Sequence, residues 1–518
     1  MRPGIRGMLA STILLAALPA AALAQDLRIG LTADPSHLDP QAGEELSSNI
    51  AFYHIYDPLV RREADLSFSP GLAESWEVAE DGVTWIFRLR DGVTFHNGNP
   101  FTAEDVVYTI GRARDSIRPG LVRNIAAERA VDDHTVEITT PAPYAVLPAD
   151  LAELLILDKE YTEGLAEGGL EEAPIGTGPY RLAEWVRGER LTLEAFEEYW
   201  DGPAGIKSVE FRPITNPATR TAALLTGEVD VIQDLAVRDV ERVRAEPGFE
   251  VMTRPSLLNL VLAMDMRESS PTIDGTNPMT DQRVREAIAR AIDVDALNQI
   301  VMAGLSTPSD QYVPASHTGY VEGMSFREMY PFDLERAEAL MEEAGYADGF
   351  TMTLDATNDR YVNDAQIAQA LASMLAKIDV DLQLNIMPKS NFWGYIRVPA
   401  ENSSFIMSGW DVPSGDAGSM YSALFYSRDK KEGYGQVNRG SYSNPELDAA
   451  VDRADSTADM AERDAALQEA TRVLMADIPM IPLHYEQDIY GVREGIEMEP
   501  RTDKFLWAYE IEMPEAAQ

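Results

Sequence analysis

The chain has 518 residues, 45% of them apolar, and no cysteine; 86 Asp and Glu against 43 Lys and Arg give a formal charge of −43. The lack of cysteine excludes disulfides, thiolate metal sites, cysteine nucleophiles and a lipid-modified N-terminal cysteine. The acidity argues against nucleic-acid partners, because phosphate repulsion opposes association, and a field of this sign favours cationic ligands only weakly once salt screens it.

Met1 to Ala24 read as a secretory signal. Arg2 and Arg6 make a positive start, Met8 to Leu18 is an apolar core too short to span a bilayer comfortably, and Ala22-Leu23-Ala24 is an A-x-A cleavage site. Cleavage there begins the mature chain at Gln25 and takes the charge from −43 to −45. No later segment has the apolar length of a membrane helix. The remaining length suits two or three domains, and no repeat of solenoid period recurs.

Leu27 to Leu31 alternate as a strand, and Asp34 to Pro40 form a loop rich in turn formers. From Leu72 to Val107 the pattern is a hairpin, a turn and a helix. Trp85, Phe87 and Leu89 alternate with Thr84, Ile86 and Arg88, between the turn signals Asp81-Gly82 and Asp91-Gly92. Thr102 is placed to cap a helix with Asp105 three residues on, and Phe101 to staple onto Val106. Ile175-Gly-Thr-Gly-Pro-Tyr180 is a glycine turn before strands at Leu191 to Phe196 and Ile206 to Phe211. A short helix over Ala218 to Leu225 stops at Gly227, and Val229 to Ile232 is a strand.

The second half is richer in helix. Val284, Ala287, Ile288 and Ala291 mark one apolar face. Leu334, Ala337, Met341 and Ala344 mark another, capped by Asp333 and stopped by Gly345. Ile367 to Ile378 carry a third, followed by a strand from Val380 to Ile386. This alternation predicts an α/β domain with a largely parallel sheet. Two helices, about Asn444 to Ala454 and Ala461 to Met475, precede Ile481-Pro-Leu-His-Tyr485.

The run from Leu72 to Val107 resembles the signature region of the extracytoplasmic solute-binding proteins of family 5, the dipeptide-, oligopeptide- and nickel-binding receptors of ABC importers. Ile175 to Tyr180 and the later Gly227-Glu-Val-Asp230 match that family's order of motifs. The resemblance implies a two-lobe α/β periplasmic-binding-protein fold of type II, similar to cluster C, with an extra subdomain in the first lobe. It divides the chain into a signal (1–24), lobe I (25–258, with the extra subdomain at about 57–173), lobe II (259–485) and a C-terminal return to lobe I (486–518). The lobes would be joined by crossing strands near Ser256 to Met266 and Pro482 to Val492. The implied function is capture of a short peptide or peptide-like solute between the lobes and its delivery to the permease subunits at the inner membrane. The alternative is a non-peptide solute: an opine, an oligosaccharide, a polyamine or a nickel chelate. A receptor with no lipid anchor needs an outer membrane to retain it, so the compartment is the periplasm; a monomer is expected.

Catalysis lacks its constellations. There is no G-x-S-x-G elbow, no H-E-x-x-H and no P-loop, and His37, His54, His96, His134, His317 and His484 are scattered without ligand spacing. No catalytic residue, metal ligand or cofactor is assigned.

The candidate ligand loop follows Phe405-Ile-Met-Ser-Gly-Trp410, a strand that breaks at Gly409. Loops at the carboxyl ends of strands in open α/β sheets are where ligands collect. Trp410 is read as a ligand wall or a core tryptophan, and Trp393 as a second aromatic wall. In peptide-binding relatives the carboxylate that holds the ligand's α-ammonium lies three residues after the Trp, where this chain has Pro413. Asp411 or Asp416 can substitute, with Asp416 favoured by the glycines around it; the alternative for each is a turn-forming role. Asn438 and Arg439 lie in a second loop toward the same cleft. Arg360 and Tyr361 precede the helix at Ile367, and Arg360 suits either a ligand carboxylate or an ion pair. From the first lobe the resemblance implies Ser36, His37, Thr177 and Gly178.

Overall fold

The computed structural model describes residues 26–166, 168–397, 402–428 and 433–514. The signal segment and its cleavage site lie outside the described residues.

Eleven strands form one mixed sheet that runs through the molecule. Its path is Val380–Met387, Phe350–Thr357, Phe405–Trp410, Phe249–Met264, Met480–Arg493, Val231–Ile232, Asp26–Leu31, Ser208–Pro213, Arg190–Ala195 and Tyr180–Val186; Ser306–Pro308 pairs with Met480–Arg493 off that path. The expected parallel pairing occurs around Phe350–Thr357 and around Asp26–Leu31. Elsewhere the pairing is antiparallel, which corrects the largely parallel expectation. The reason is that two long strands, Phe249–Met264 and Met480–Arg493, run past each other antiparallel through the middle.

Their ladder is interrupted near its centre, and a second register shift follows between Leu260 and Val261. Pairing holds from Phe249↔Arg493 to Pro255↔Gln487 and resumes at Asn259↔Tyr485 with a shifted register. Pro255 has no N–H to give, and the Leu258 N–H instead donates 3.1 Å to the Ser256 hydroxyl. The apolar cores change over at the same place. One contiguous core draws on buried residues from Leu258 to Leu483, and another combines Leu27–Tyr56, Leu155–Phe211 and Tyr490–Ile511.

A third core, Leu59 to Ile156, belongs to a separate four-stranded antiparallel sheet ordered Ala73–Val78, Thr84–Leu89, Thr135–Thr139 and Ala127–Asp132. Trp85, Phe87 and Leu89 are buried on one face of the second of these strands, as the alternation predicts. Burial of each such ring stabilises by roughly 2–3 kcal/mol. The helix Ala103–Ala113 starts with the expected capping box of Thr102 and Asp105, and Phe101 and Val106 share this core. The signature run is therefore scaffold.

The periodicity-derived helices form at Pro217–Leu225, Gln282–Ala291, Leu334–Glu343, Asp364–Leu375, Pro445–Asp455 and Met460–Asp477. Asp333 caps the Leu334–Glu343 helix through the Arg336 N–H, and Gly345 follows at φ +88°.

The glycine turn before Tyr180–Val186 is required by a backbone crossing. A Cβ on Gly176 would lie 2.0 Å from the Ile55 carbonyl oxygen, and one on Gly178 would lie 2.6 Å from that of His54.

Candidate functional site

The strand Phe405–Trp410 pairs with Phe249–Met264 so that Trp410 lies opposite Asn259. Gly409 has no room for a side chain: a Cβ there would sit 2.8 Å from the Tyr361 ring and 2.9 Å from Leu258. Its N–H donates to the Tyr361 hydroxyl at 2.7 Å. Strand end, central crossover and the loop bearing Tyr361 therefore meet at one point.

Trp410 is half-buried and borders a cleft of about 630 Å³. One wall comes from the body that carries Trp410, with Ser414, Asp416, Tyr434, Gln436 and Arg463. The opposite wall comes from the four-stranded subdomain, with Arg123, Asn124, Tyr144 and Asp150.

Asp416 faces this cleft but is not a free carboxylate. Arg463 donates to it at two points, 2.9 and 2.7 Å, and the Gly418 N–H donates at 2.8 Å, capping the turn Ala417–Met420. Both side chains are at most 5% exposed, so the charge that was expected to receive an ammonium group is neutralised internally. Asp411 is exposed and does not line the cleft. Pro413 is exposed beside it.

The second loop divides its two candidates. Asn438 is 1% exposed and staples the loop, with Nδ2 donating to the carbonyls of Tyr426 (3.0 Å) and Tyr442 (2.8 Å) and Oδ1 accepting from the Tyr442 N–H (3.0 Å). Its side chain is fully used by packing. Arg439 is the opposite case. Its guanidinium lies 5.6 Å from the Trp393 ring centre, its Nε is buried without a hydrogen-bond partner, and no ion pair engages it among the described residues. Burial pushes its pKa down from the usual arginine value.

Arg360 and Tyr361 stand on the loop after Phe350–Thr357, which Asp364 holds by accepting both their N–H groups and the Thr357 hydroxyl. The neighbouring Val362 N–H donates 2.8 Å to Glu486 on the central strand. Arg360 is exposed, stacks 5.1 Å over the Tyr361 ring, and has no ion-pair partner among the described residues. The buried Tyr361 phenol, its pKa raised by burial, feels both Arg360 and Arg439 as neighbouring positive charges. Trp393 is 38% exposed, on the helix Lys389–Tyr395. Arg360, Tyr361, Trp393 and Arg439 thus form one group.

The first-lobe candidates do not line the cleft beside Trp410. Ser36 accepts at its carbonyl from Arg187, and its N–H reaches Glu45 and Ser48. His37 contacts Glu171 at 2.7 Å. Thr177 is fully buried and donates 3.0 Å to Asp57, a carboxylate that also accepts from Tyr199 and Trp200. Gly178 donates to the Ile55 carbonyl. Thr177 and Gly178 serve packing here, while Ser36 and His37 remain partly exposed.

Sequence reasoning passed over Asn124, Tyr144, Asp150, Gln436 and Arg463. Their stretches carry no motif, and only the folded subdomain brings the first three opposite Trp410. Among the described residues no group of three His, Asp or Glu side chains converges as a metal set, and no helix is long and apolar enough to cross a membrane.

The family model for bacterial extracellular solute-binding proteins, family 5 Middle, matches residues 67–432. The chain is 29% identical over 476 residues to the glutathione-binding protein GsiB of Pectobacterium atrosepticum, covering 90% of this chain and 89% of that one. It superposes on MppA, a periplasmic murein tripeptide binding protein in its unliganded open form, with a TM-score of 0.83 at 23% identity, covering 95% of this chain and 98% of that one. On DppA of Helicobacter pylori in complex with the peptide STSA the TM-score is 0.70 at 25% identity, covering 94% and 98%. The chain belongs to family 5 of the extracellular solute-binding proteins, the ligand-capturing components of ABC importers.

Proposed function

We propose that this receptor captures a short peptide or peptide-like solute that carries a carboxylate, and that Arg439, with Arg360, receives that group. The observation that carries the reading is the Arg439 guanidinium: half-buried against Trp393, with a buried Nε that has no acceptor among the described residues, in a chain holding twice as many acidic as basic side chains. A buried cation without a partner is costly, and a ligand carboxylate would supply the missing acceptor in a charge-assisted, two-point geometry. Trp393 and Tyr361 offer apolar faces beside it. The likeness to glutathione- and peptide-binding relatives supports the same class of ligand.

The lobes proposed are residues 25–258 and 259–485 with a return at 486–518, and the extra subdomain spans about 57–173. Binding stabilises a closed arrangement about the interrupted central ladder, and the closed form is what the permease recognises. No bond is made or broken. The mature protein works as a monomer in the periplasm after cleavage at Ala24.

Calorimetric titration with di- and tripeptides, glutathione and their C-terminal amides tests this. Binding of the acids, with the amides weaker by about tenfold or more as expected for loss of a charge-assisted pair, is the expected result. Failure of every carboxylate-bearing peptide to bind, or equal affinity for acids and amides, overturns it.

A further inference from the structure

The cleft beside Trp410 has three acidic side chains in its wall: Asp150, Asp416 and Asp455. Two of them are neutralised by one arginine, since Arg463 bonds both Asp416 and Asp455. Asp150 is different. No ion pair engages it among the described residues, and its side chain accepts one hydrogen bond, from the Tyr144 hydroxyl at 2.8 Å. Of the nearby cations, Arg62 and Arg118 both close on Glu153 at 2.7 and 3.0 Å, while Arg123 lines the same wall without forming an ion pair with Asp150 among the described residues. The short helix Leu147–Leu151 holds Asp150 on the subdomain wall, opposite the body that carries Trp410.

We propose that Asp150, supported by Tyr144, is the subsite that receives a positively charged group of the ligand, a primary ammonium, from across the cleft. The proposal rests on the receptor reading above and moves the amine carboxylate from the loop after Trp410, where Pro413 stands, to the extra subdomain. It gives that subdomain a role in ligand choice: a solute with an ammonium at one end and a carboxylate at the other would engage both bodies.

Burial, helped by Glu153, raises the Asp150 carboxyl to about 7 against the opposing pull of the Tyr144 hydrogen bond, Arg123 and Arg62. Arg463, Asp416, Asp455 and Tyr434 face it from the opposite wall. Near neutral pH the group is thus partly protonated in the empty receptor. A cation favours the ionised form, so binding releases protons and tightens as pH rises through about 7.

The experiment is calorimetric titration of the wild type, Asp150→Asn and Tyr144→Phe with trialanine, N-acetyl-trialanine and glutathione, at several values between about pH 5.5 and pH 8. Expected are a preference for trialanine over its acetylated form, an affinity for trialanine that falls about tenfold or more toward the acid end, and loss of both in Asp150→Asn. Tyr144→Phe should keep the preference with a shifted pH profile. Should Asp150→Asn fail to fold, the preference and the pH profile of the wild type decide. Equal, pH-independent binding of free and acetylated peptide, or an undiminished Asp150→Asn, overturns the subsite and leaves the receptor reading intact. Binding of no peptide removes the peptide reading and the subsite with it.

Discussion

Asp416 and Arg463 form a two-point ion pair under the loop after Trp410, with Nε–Oδ2 2.9 Å and Nη2–Oδ1 2.7 Å and side chains 5% and 4% exposed. Breaking such a pair leaves the buried guanidinium with Asp455, at 3.1 Å, as its remaining charge partner. Asp416→Asn should therefore lower stability by about 3–5 kcal/mol in urea unfolding, while the folded fraction binds peptide with unchanged affinity. A selective loss of free-amine peptides at unchanged stability would instead make Asp416 the amine carboxylate.

Arg439 predicts the reverse. Replacing a half-buried cation that has no ion-pair partner among the described residues removes a desolvation penalty, so Arg439→Met should leave the empty receptor as stable or more stable. Affinity for a carboxylate-bearing peptide should drop by about 2–3 kcal/mol, read by calorimetry, with little change for its amide. A large loss of stability together with unchanged affinity would mark Arg439 as structural.

How much of this was legible in the sequence depends on whether the signal is local. Alternation at Trp85, Phe87 and Leu89, the capping box at Thr102 and the glycines of Ile175–Tyr180 are short-range and form as read. The mixed sheet was not legible, since antiparallel pairing of Phe249–Met264 with Met480–Arg493 joins segments more than two hundred residues apart. At the site, Trp410, Arg360 and Arg439 could be picked by residue type. That Arg463 would claim Asp416 from 47 positions away, or that Asp150 would face the same cleft, follows from tertiary packing alone.

His54 ties the helix Leu46–Ile55 to the C-terminal segment at Ala508. Its Nε2 accepts from the Ala508 N–H at 2.9 Å, so its Nδ1 carries the proton and donates to the Ile50 carbonyl at 2.7 Å. Burial pushes its pKa down from 6.5 to about 4. The unfolded chain takes up the proton near 6.5 and the folded one only near 4. The stability contributed by the neutral ring is full above 6.5 and is lost as pH falls toward 4, by up to about 3 kcal/mol. Urea unfolding across that window should show this fall, with a shallower slope in His54→Phe. Equal slopes would contradict it.

The central ladder lacks pairing between Pro255 and Asn259, the point about which the proposed closure would bend. Small-angle scattering should give a smaller radius of gyration with saturating peptide than without. An unchanged radius, with binding verified calorimetrically in the same sample, would rule out closure.

Native mass spectrometry of the receptor purified from cells tests solute capture most directly. The predicted result is a small carboxylate-bearing adduct, or one restored by adding peptide, present on the wild type and absent or much reduced on Arg439→Met. An adduct-free wild type that no peptide shifts, or an adduct held equally by Arg439→Met, would contradict it.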